Sequence, residues 1–481
     1  MDQATSETDA ELRQNGLGDL ALLHDHLISY ISFLLNLEDV IRLSCCSKIL
    51  RVFACEEPLW LGLCLKQEEG VIDYKANWRQ TALATYTAKP VPPAAIEAAA
   101  RPLPSLPGLS SFFLYKRWYR CHVDLASFLP PPEAPTVDRV PAATMSPTEF
   151  FQRYDKPAMP VLLGGLMNSW PVSSWSLPAL SAAFPSSLFK VSKPHGGRAL
   201  MTLHAYVDYM ARQADEEPLY VFDATFAEAA PGIRKLYDVP HVFTKDYYAE
   251  LGAARPNFRW LVLGPARAGA SWHVDPALTS AWNALLSGRK RWALYPPHVA
   301  PPGVPLDDDG EEAHTSDDGL TSLQWFLEVY PTLPPGIRPI EFVQNPGEVV
   351  FVPGGWWHCV LNLETSVAVT QNYVGPANLN RVIRYMADGS STYHAAPLPY
   401  YDTVREVTVW AEKYPHLTAA RGEQVGAMDT SEGGEEVAVV AEEEDEKRRK
   451  IEGEEEERVE GGQKQRWSGS RFPKRQCYEE E

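Results

Sequence analysis

Apolar residues recur at helical spacing near the start of the chain and at strand spacing through its middle, and this change of period divides it. A polar segment, 1–16, is expected to be disordered. Leu17, Leu20, Leu27, Ile28, Ile31, Leu34 and Leu35 then recur every three or four residues and predict a small all-helical unit over 17–70. Asn36 is placed to cap a helix whose first turn carries Glu38 and Asp39, beside the positive end of the dipole, with Val40, Leu43 and Leu50 as its buried stripe. A short segment, Glu57-Pro58-Leu59-Trp60-Leu61-Gly62-Leu63, closes the unit. Residues 71–136 read as a linker. Its stretch 89–108 is rich in proline, a composition that cannot sustain a helix, so the domain boundary falls there. One aromatic helix, around Phe112 to Tyr119, is expected to pack against the main domain, and a second proline-rich link follows at Pro130-Pro131-Pro132.

From Val137 short apolar runs are broken by Gly, Pro and Asn: Pro160 to Gly165, Leu219 to Phe222 and Phe258 to Gly264. Several such strands with helical inserts predict an α+β domain over 137–395, a β-sandwich or barrel with surrounding helices. A helix is expected over 203–213. Strands resume at Lys290 to Tyr295, an acidic loop follows around Asp307-Asp308-Asp309-Gly310, and another strand spans Gly347 to Pro353. A hairpin turning at Asn362-Leu363-Glu364-Thr365 is expected to return into Val367 to Asn372. Beyond Asn378 the pattern is helical to about Leu417, with Val382, Ile383, Tyr385, Val404, Val407 and Trp410 as packing positions, so that 396–422 forms a C-terminal helical segment. From residue 423 bulky apolar residues give way to Glu and Gly, and an acidic disordered tail is expected over 423–481.

Charge narrows the partners. The net charge of -19 argues against sequence-independent binding to DNA or anionic membranes, and no sequence-specific DNA contact is expected. A basic protein or peptide is the natural partner. Sixteen acidic and ten basic residues between Glu435 and Glu481 account for -6, so -13 belongs to the rest of the chain. Seven cysteines, an odd number without a C-x-x-C pair, fit neither a disulfide framework nor a structural zinc module. The acidic, polar N-terminus is unlike a secretory signal, and no apolar run reaches membrane-spanning length. Together these predict a soluble protein of the nucleus or cytoplasm, where Lys447-Arg448-Arg449-Lys450 reads either as an import signal or as plain solvated charge.

The candidate chemistry starts at Ser271-Trp272-His273-Val274-Asp275-Pro276. His273 and Asp275 stand at i and i+2, so on an extended strand both face one way and can converge on one ion. His358, 85 residues on, follows Pro353-Gly354-Gly355-Trp356-Trp357, whose indoles can wall off water. Two imidazoles and a carboxylate suit Fe(II) with open positions and suit zinc as well. Iron oxygenase chemistry also needs a site for an organic acid. Lys290, after Ser287-Gly288, is a candidate cation for its carboxylate, and Thr370 shares the face of His358 if the final hairpin pairs regularly.

Pro218 to Asp223, His273-Val274-Asp275-Pro276, Thr279 to Leu285, Gly288 to Trp292 and Pro346 to Asn372 resemble the Jumonji C (JmjC) family of Fe(II)- and 2-oxoglutarate-dependent oxygenases, most closely its lysyl-hydroxylase and arginine-demethylase branch. The resemblance covers about 137–395 and implies a double-stranded β-helix, the jelly-roll of the cupins. It implies His273, Asp275 and His358 as iron ligands and catalytic residues. Tyr220, Lys290 and Thr370 are implied to hold 2-oxoglutarate, with Asn283 and Trp260 lining the pocket. Fe(II), 2-oxoglutarate and O2 are the implied cofactor and co-substrates, and lysyl hydroxylation or N-methyl demethylation of histones or other basic proteins is the implied activity. In the helical unit, Leu37-Glu38-Asp39-Val40, the helix at Cys45-Cys46-Ser47 and Pro58-Leu59-Trp60 resemble an F-box, which implies a Skp-type adaptor of a cullin ubiquitin ligase as a partner. The alternative function is then a ligase adaptor whose JmjC domain only binds substrate.

Overall fold

The computed structural model describes residues 8–66, 70–85, 92–103, 105–193, 196–305, 319–387, 410, 413 and 414. The acidic loop at 307–310, the packing positions Val404 and Val407, Lys447 to Lys450 and the acidic tail lie outside the described residues.

The chain is helical sooner than its polar N-terminus suggests. Thr8 and Glu11 form a reciprocal capping box, each side chain bonded to the other's backbone N–H, and start a helix at Asp9–Leu17. Helices Asp25–Phe33, Leu37–Leu43, Lys48–Ala54 and Glu57–Leu65 follow. Asn36 caps the second of these by accepting from the Asp39 N–H at 3.0 Å. Cys45 and Cys46 lie in a turn rather than in a helix, and Ser47 caps the next one, so Val40 and Leu50 belong to two helices and Leu43 is only half-buried. A further helix, Pro93–Ala100, occupies the proline-rich stretch read as unable to form one. Pro93 is its first residue, where the missing N–H has no intrahelical partner to lose, and the residues after it are mostly alanine.

Helix Phe112–His122 forms as expected, but its rings do not pack inward: Phe112, Tyr115, Trp118 and Tyr119 are exposed. The helix docks instead through arginines. Arg117 binds Glu216 at 3.0 Å, and Arg120 bridges Glu216 and Glu328. Nearby, Trp78 at the start of helix Trp78–Thr85 is fully buried and donates its indole N–H to the Asp215 carboxylate at 2.8 Å, and the Tyr209 hydroxyl donates to it at 2.6 Å.

Thirteen strands follow: β1 Asp138–Pro141, β2 Val161–Gly164, β3 Leu188–Lys193, β4 Gly196–Thr202, β5 Tyr220–Asp223, β6 Arg259–Gly264, β7 Gly269–His273, β8 Ser280–Ser287, β9 Lys290–Tyr295, β10 Ile340–Gln344, β11 Glu348–Val352, β12 Trp357–Asn362 and β13 Ser366–Tyr373. A nine-stranded sheet runs β1-β2-β11-β8-β13-β6-β5-β3-β4, and a four-stranded sheet runs β10-β9-β12-β7. Alternation assigns the faces. Val221, Leu261, Leu263, Val367 and Val369 join the large core on the outer side of the nine-stranded sheet, which helix Leu203–Arg212 helps to cover. Leu162 and Val350 of that sheet meet Trp292, Leu294 and Val360 of the other, so the two inner faces share an interior.

The expected final hairpin is absent. β12 pairs with β7 and β9 in the smaller sheet, whereas β13 pairs with β6 and β8 in the larger one. The connection at Leu363–Thr365 therefore crosses from sheet to sheet, as in a jelly-roll, because each strand finds its partners among strands distant in sequence. Thr370 reaches the interior through its own sheet, not by pairing with the strand of His358.

Candidate metal centre and its cavity

The register pairs His358 of β12 directly with His273, the last residue of β7. Two steps along, Val360 pairs with Ala270, so β7 spends three residues where β12 spends two. This bulge sets the site. Ala270 faces the interior, and strict alternation would turn Trp272 inward and His273 outward. The extra residue reverses the parity, which is a common use of bulges beside functional sites. Trp272 joins the outer cluster with Tyr295 and Trp325, and His273 faces His358 with ring centroids 4.1 Å apart.

Asp275 lies two residues beyond, still extended at φ -63 and ψ 139. One ligand atom from each of His273, Asp275 and His358 lies within 4.8 Å of the other two, and His358 Nε2 stands 4.0 Å from Asp275 Oδ2. At bonds of about 2.1 Å one ion reaches two atoms up to about 4.2 Å apart. Both imidazoles are oriented by carbonyls: His273 Nδ1 lies 2.7 Å from Ser271 O and His358 Nδ1 lies 3.1 Å from Trp356 O. A carbonyl oxygen only accepts, so each Nδ1 carries the proton and each Nε2 is left bare for a metal. Burial, reinforced by neighbouring His273, holds His358 well below the usual histidine range, in the neutral form that ligates. Burial also raises the Asp275 carboxyl, against the opposing pull of His273 and of the nearby Asn372 amide. Asp275 Oδ2 is buried without a hydrogen-bond partner. An orphaned carboxylate oxygen facing two bare imine nitrogens fits a divalent cation.

The turns carrying these ligands are locked together. After Asp275, Ala277 and Leu278 both adopt the left-handed region, φ 54 and 55, which non-glycine residues seldom hold without support. Asn378 supplies support: its amide donates to Leu278 O at 3.2 Å and to Ser280 Oγ at 3.3 Å, while its own oxygen accepts from the Gly375 N–H at 2.8 Å. Ser280 Oγ accepts from the Gly354 N–H at 3.2 Å. Gly354 is required there, because a Cβ would lie 2.0 Å from Leu278 O. Thus the turn before His358 rests on the turn after Asp275.

The remaining residues singled out from the sequence line the interior. Thr370 pairs with Trp260 on one side and Asn283 on the other, which puts the three in one row across β6, β13 and β8. The Thr370 hydroxyl is turned to Trp282 O at 3.0 Å, and the buried Asn283 Oδ1 has no partner. Tyr220 lies at the opposite end of this face. A Cβ on Gly264 would be 3.0 Å from Tyr220 Cβ and 3.2 Å from Asn362 Nδ2, so that glycine lets the two side chains close up. Asn362 in turn pairs with Lys290. Lys290 is 3% exposed, has no carboxylate partner among the described residues, and is pushed down to about 8 by burial. Lys290 is thus a buried ammonium on the register partner of Asn362, whose amide and Tyr220 meet at Gly264, and such a charge is stabilised by an anionic partner.

Sequence reasoning did not single out Asn362, Asn372, Ser280 or Asn378. Period-two counting could have found two of them, since Asn362 shares a face with His358 and Asn372 with Thr370. Ser280 and Asn378 act through backbone turns and left no pattern to read.

Residues 260–373 match the family model described as "JmjC domain, hydroxylase". The chain is 43% identical over 384 residues to the lysine-specific demethylase JMJ21 of Arabidopsis thaliana, covering 79% of this chain but only 39% of that protein. It is 35% identical over 380 residues to the arginine-specific demethylase JMJ22 of the same plant, covering 78% of this chain and 72% of the relative. Against the bifunctional arginine demethylase and lysyl-hydroxylase psr-1 of Caenorhabditis briggsae it is 42% identical over 268 residues, 53% of this chain and 66% of that one.

Proposed function

Because the chain belongs to the JmjC hydroxylase family, we propose that it is an Fe(II)- and 2-oxoglutarate-dependent oxygenase acting on side chains of basic proteins, histones among the candidates. The observation that carries this reading is the pairing of two features in one interior: three convergent metal ligands at one end and, at the other, the buried Lys290, which has no carboxylate partner among the described residues. A zinc hydrolase needs the first and has no use for the second. When bound, Fe(II) with 2-oxoglutarate and O2 supplies oxidation of a C–H bond to C–OH, coupled to conversion of 2-oxoglutarate to succinate and CO2.

The chain's own residues divide the rest of the work. His273, Asp275 and His358 would hold the ion on one side and leave its remaining positions open. Lys290 would bind the distal carboxylate of 2-oxoglutarate. Tyr220, whose phenol is raised to about 12 by burial, stays protonated and donates to the same group. Thr370 would join them by turning its hydroxyl from Trp282 O. Asn283 and Trp260 bound the pocket beside it. Oxidation of a side-chain methylene leaves a stable alcohol, as in lysyl hydroxylation, whereas an N-methyl carbon becomes hydroxymethyl and leaves as formaldehyde, which is demethylation. Incubation with lysine- and methylarginine-bearing peptides, Fe(II) and 2-oxoglutarate should yield succinate and, by mass spectrometry, either a gained oxygen or a lost methyl. His273→Ala should abolish both, and undiminished succinate formation in that variant would sink the proposal.

A second reading, adaptor binding by the F-box-like helices, is favoured by one observation. Leu27, Tyr30, Ile31 and Leu34, which share one face of helix Asp25–Phe33 and its C-terminal end, remain exposed, Leu34 at 67%. Trp60, by contrast, is fully buried with its indole bonded to Ala54 O and cannot be a contact. Ile31→Glu with Leu34→Glu should abolish co-purification of a Skp-type protein; retention of the partner would refute this role. A nuclear or cytoplasmic location accords with the six free cysteines among the described residues. No helix among the described residues is long and apolar enough to cross a membrane.

A further inference from the structure

Helix Phe112–His122 turns an ordered aromatic face to solvent. Phe112, Tyr115, Tyr119 and His122 stand at i, i+3, i+7 and i+10, the two seam positions of a heptad repeat, and all four are exposed together with Lys116 and Trp118. Phe113, Leu114, Arg117, Arg120 and Cys121 are turned to the body of the protein and are half-buried. The outward rings lie against one another along the helix: Tyr115 is 5.9 Å from Trp118 and 6.5 Å from Tyr119, and Trp118 is 4.8 Å from His122, centroid to centroid. They form one continuous ridge. The ion pairs of Arg117 and Arg120 with Glu216, and of Arg120 with Glu328, hold it from behind.

Charge limits what can cover the ridge. Its cations are already engaged, Arg117 and Arg120 by these carboxylates and Lys116 by Glu328 at 3.5 Å. A polyanion is therefore poorly served by this face, and an anionic membrane would also meet a chain of net charge -19. The seam does match itself. Its spacing of three, four and three residues reads the same from either end and is centred on Arg117. A second copy laid antiparallel sets Phe112 against His122 and Tyr115 against Tyr119, twice over, as a two-fold interface requires. On one flank Trp118 meets its own counterpart; on the other Lys116 arrives with Glu328 and brings no net charge. The size fits as well. At about 150–250 Å² for each aromatic side chain, the exposed parts of Phe112 (75%), Tyr115 (57%), Trp118 (53%) and Tyr119 (43%) come to roughly 350–550 Å² per copy. The rings of two copies thus offer about 700–1,100 Å², close to the ~1,200 Å² at which specific interfaces begin.

We propose that helix Phe112–His122 is a dimerisation seam, on which the same helix of a second copy of this chain lies antiparallel, with the two-fold axis level with Arg117. The area stands at the lower limit for a specific contact, so the dimer is a weak one, with a Kd of about 1–100 µM. The contact draws on neither the metal centre nor the exposed face of helix Asp25–Phe33.

The test is sedimentation equilibrium of the full-length protein under reducing conditions, which keep its cysteines from linking copies. Between about 1 and 100 µM the apparent mass should rise from that of one chain towards that of two. Tyr115→Glu with Tyr119→Glu opposes like charges at both crossings of the seam and should raise the Kd by about tenfold or more. Tyr115→Glu with Tyr119→Lys opposes unlike charges there and should bring the Kd back towards the parent's. Both positions are exposed, so circular dichroism and melting temperature should match the parent's. In the otherwise unaltered protein, 4-benzoylphenylalanine at position 115 should cross-link, on irradiation, to the segment of the second copy that carries Tyr119. A parent that stays monomeric to about 100 µM, a Kd unmoved by the doubly acidic variant, a charge-swapped variant as weak as the doubly acidic one, or cross-links confined to other segments would each overturn the proposal.

Discussion

Replacing Lys290 by methionine separates what the buried charge does to the fold from what it does for the co-substrate. Burial lowers this ammonium from its ordinary 10.5 to about 8, with no carboxylate partner among the described residues to offset it. Because the folded value lies below the unfolded one, the unfolded chain holds more protons between about pH 8 and 10.5. Stability without ligand should therefore rise with pH across that window, and the full penalty should be present below it. At about 1.4 kcal/mol per pH decade the penalty is roughly 3 kcal/mol. Lys290→Met keeps the apolar stem and removes the charge, so at pH 7 the ligand-free variant should exceed the parent in stability by up to that amount, with the difference vanishing by about pH 10.5. Binding should go the opposite way. The parent should bind 2-oxoglutarate with constant affinity below about pH 8 and lose up to tenfold per unit above it, as the ammonium deprotonates, whereas the variant should bind weakly throughout. Urea unfolding from pH 6.5 to 9.5 and calorimetric titration of 2-oxoglutarate in the presence of Mn(II) measure the two halves. A variant less stable than the parent at pH 7, or one with undiminished 2-oxoglutarate affinity, would refute the assignment.

Two further predictions concern the lock between the ligand turns. Asn378→Ala removes the donor to Leu278 O and Ser280 and the acceptor of the Gly375 N–H, and should weaken Co(II) affinity by about tenfold or more, with the visible absorption of the Co(II) complex shifted. A lowered melting temperature with unchanged metal affinity and spectrum would make the residue merely structural. Ser280→Ala removes only the acceptor of the Gly354 N–H; it should weaken Co(II) binding less than Asn378→Ala does, and Ser280→Thr, which keeps the hydroxyl, should restore it.

How much of this was legible depended on the range of the interactions. The spacing of His273 and Asp275, the cap at Asn36 and the strand from Lys290 to Tyr295 are local features, and local periodicity exposes them. The pairing of β12 and β13 with different partners is not local: a short turn between two apolar runs signals a hairpin whether or not a sheet change intervenes, and only the non-local registers decide. The bulge that turns His273 inward is equally silent, since nothing in Gly269-Ala270-Ser271-Trp272-His273 marks the extra residue until β12 is set beside it. Helix Pro93–Ala100 is hidden for another reason: composition carries no position, and a proline that breaks a helix interior is well tolerated at its first residue.

The aromatic helix docks through its arginines rather than its exposed rings, and this bears on the chemistry. These polar contacts tie the N-terminal helices to the residues that lead into the strand of Tyr220. Arg117 and Arg120 converge on Glu216, and Trp78 on Asp215, four and five residues before Tyr220. Arg267, held at φ 74 in the turn between β6 and β7, donates to Asp215 O at 2.5 Å and to Arg120 O at 3.4 Å. One network therefore grips both the approach to the strand of Tyr220 and the turn that leads into the strand of His273. Its acids take part of their partners from the helices: without Trp78, Arg117 and Arg120, the buried Asp215 would lose a charge-assisted bond and Glu216 two ion pairs. The N-terminal helices thus support the walls of the cavity, and a perturbation of them has a physical route to the strand of Tyr220 through Asp215 and Glu216.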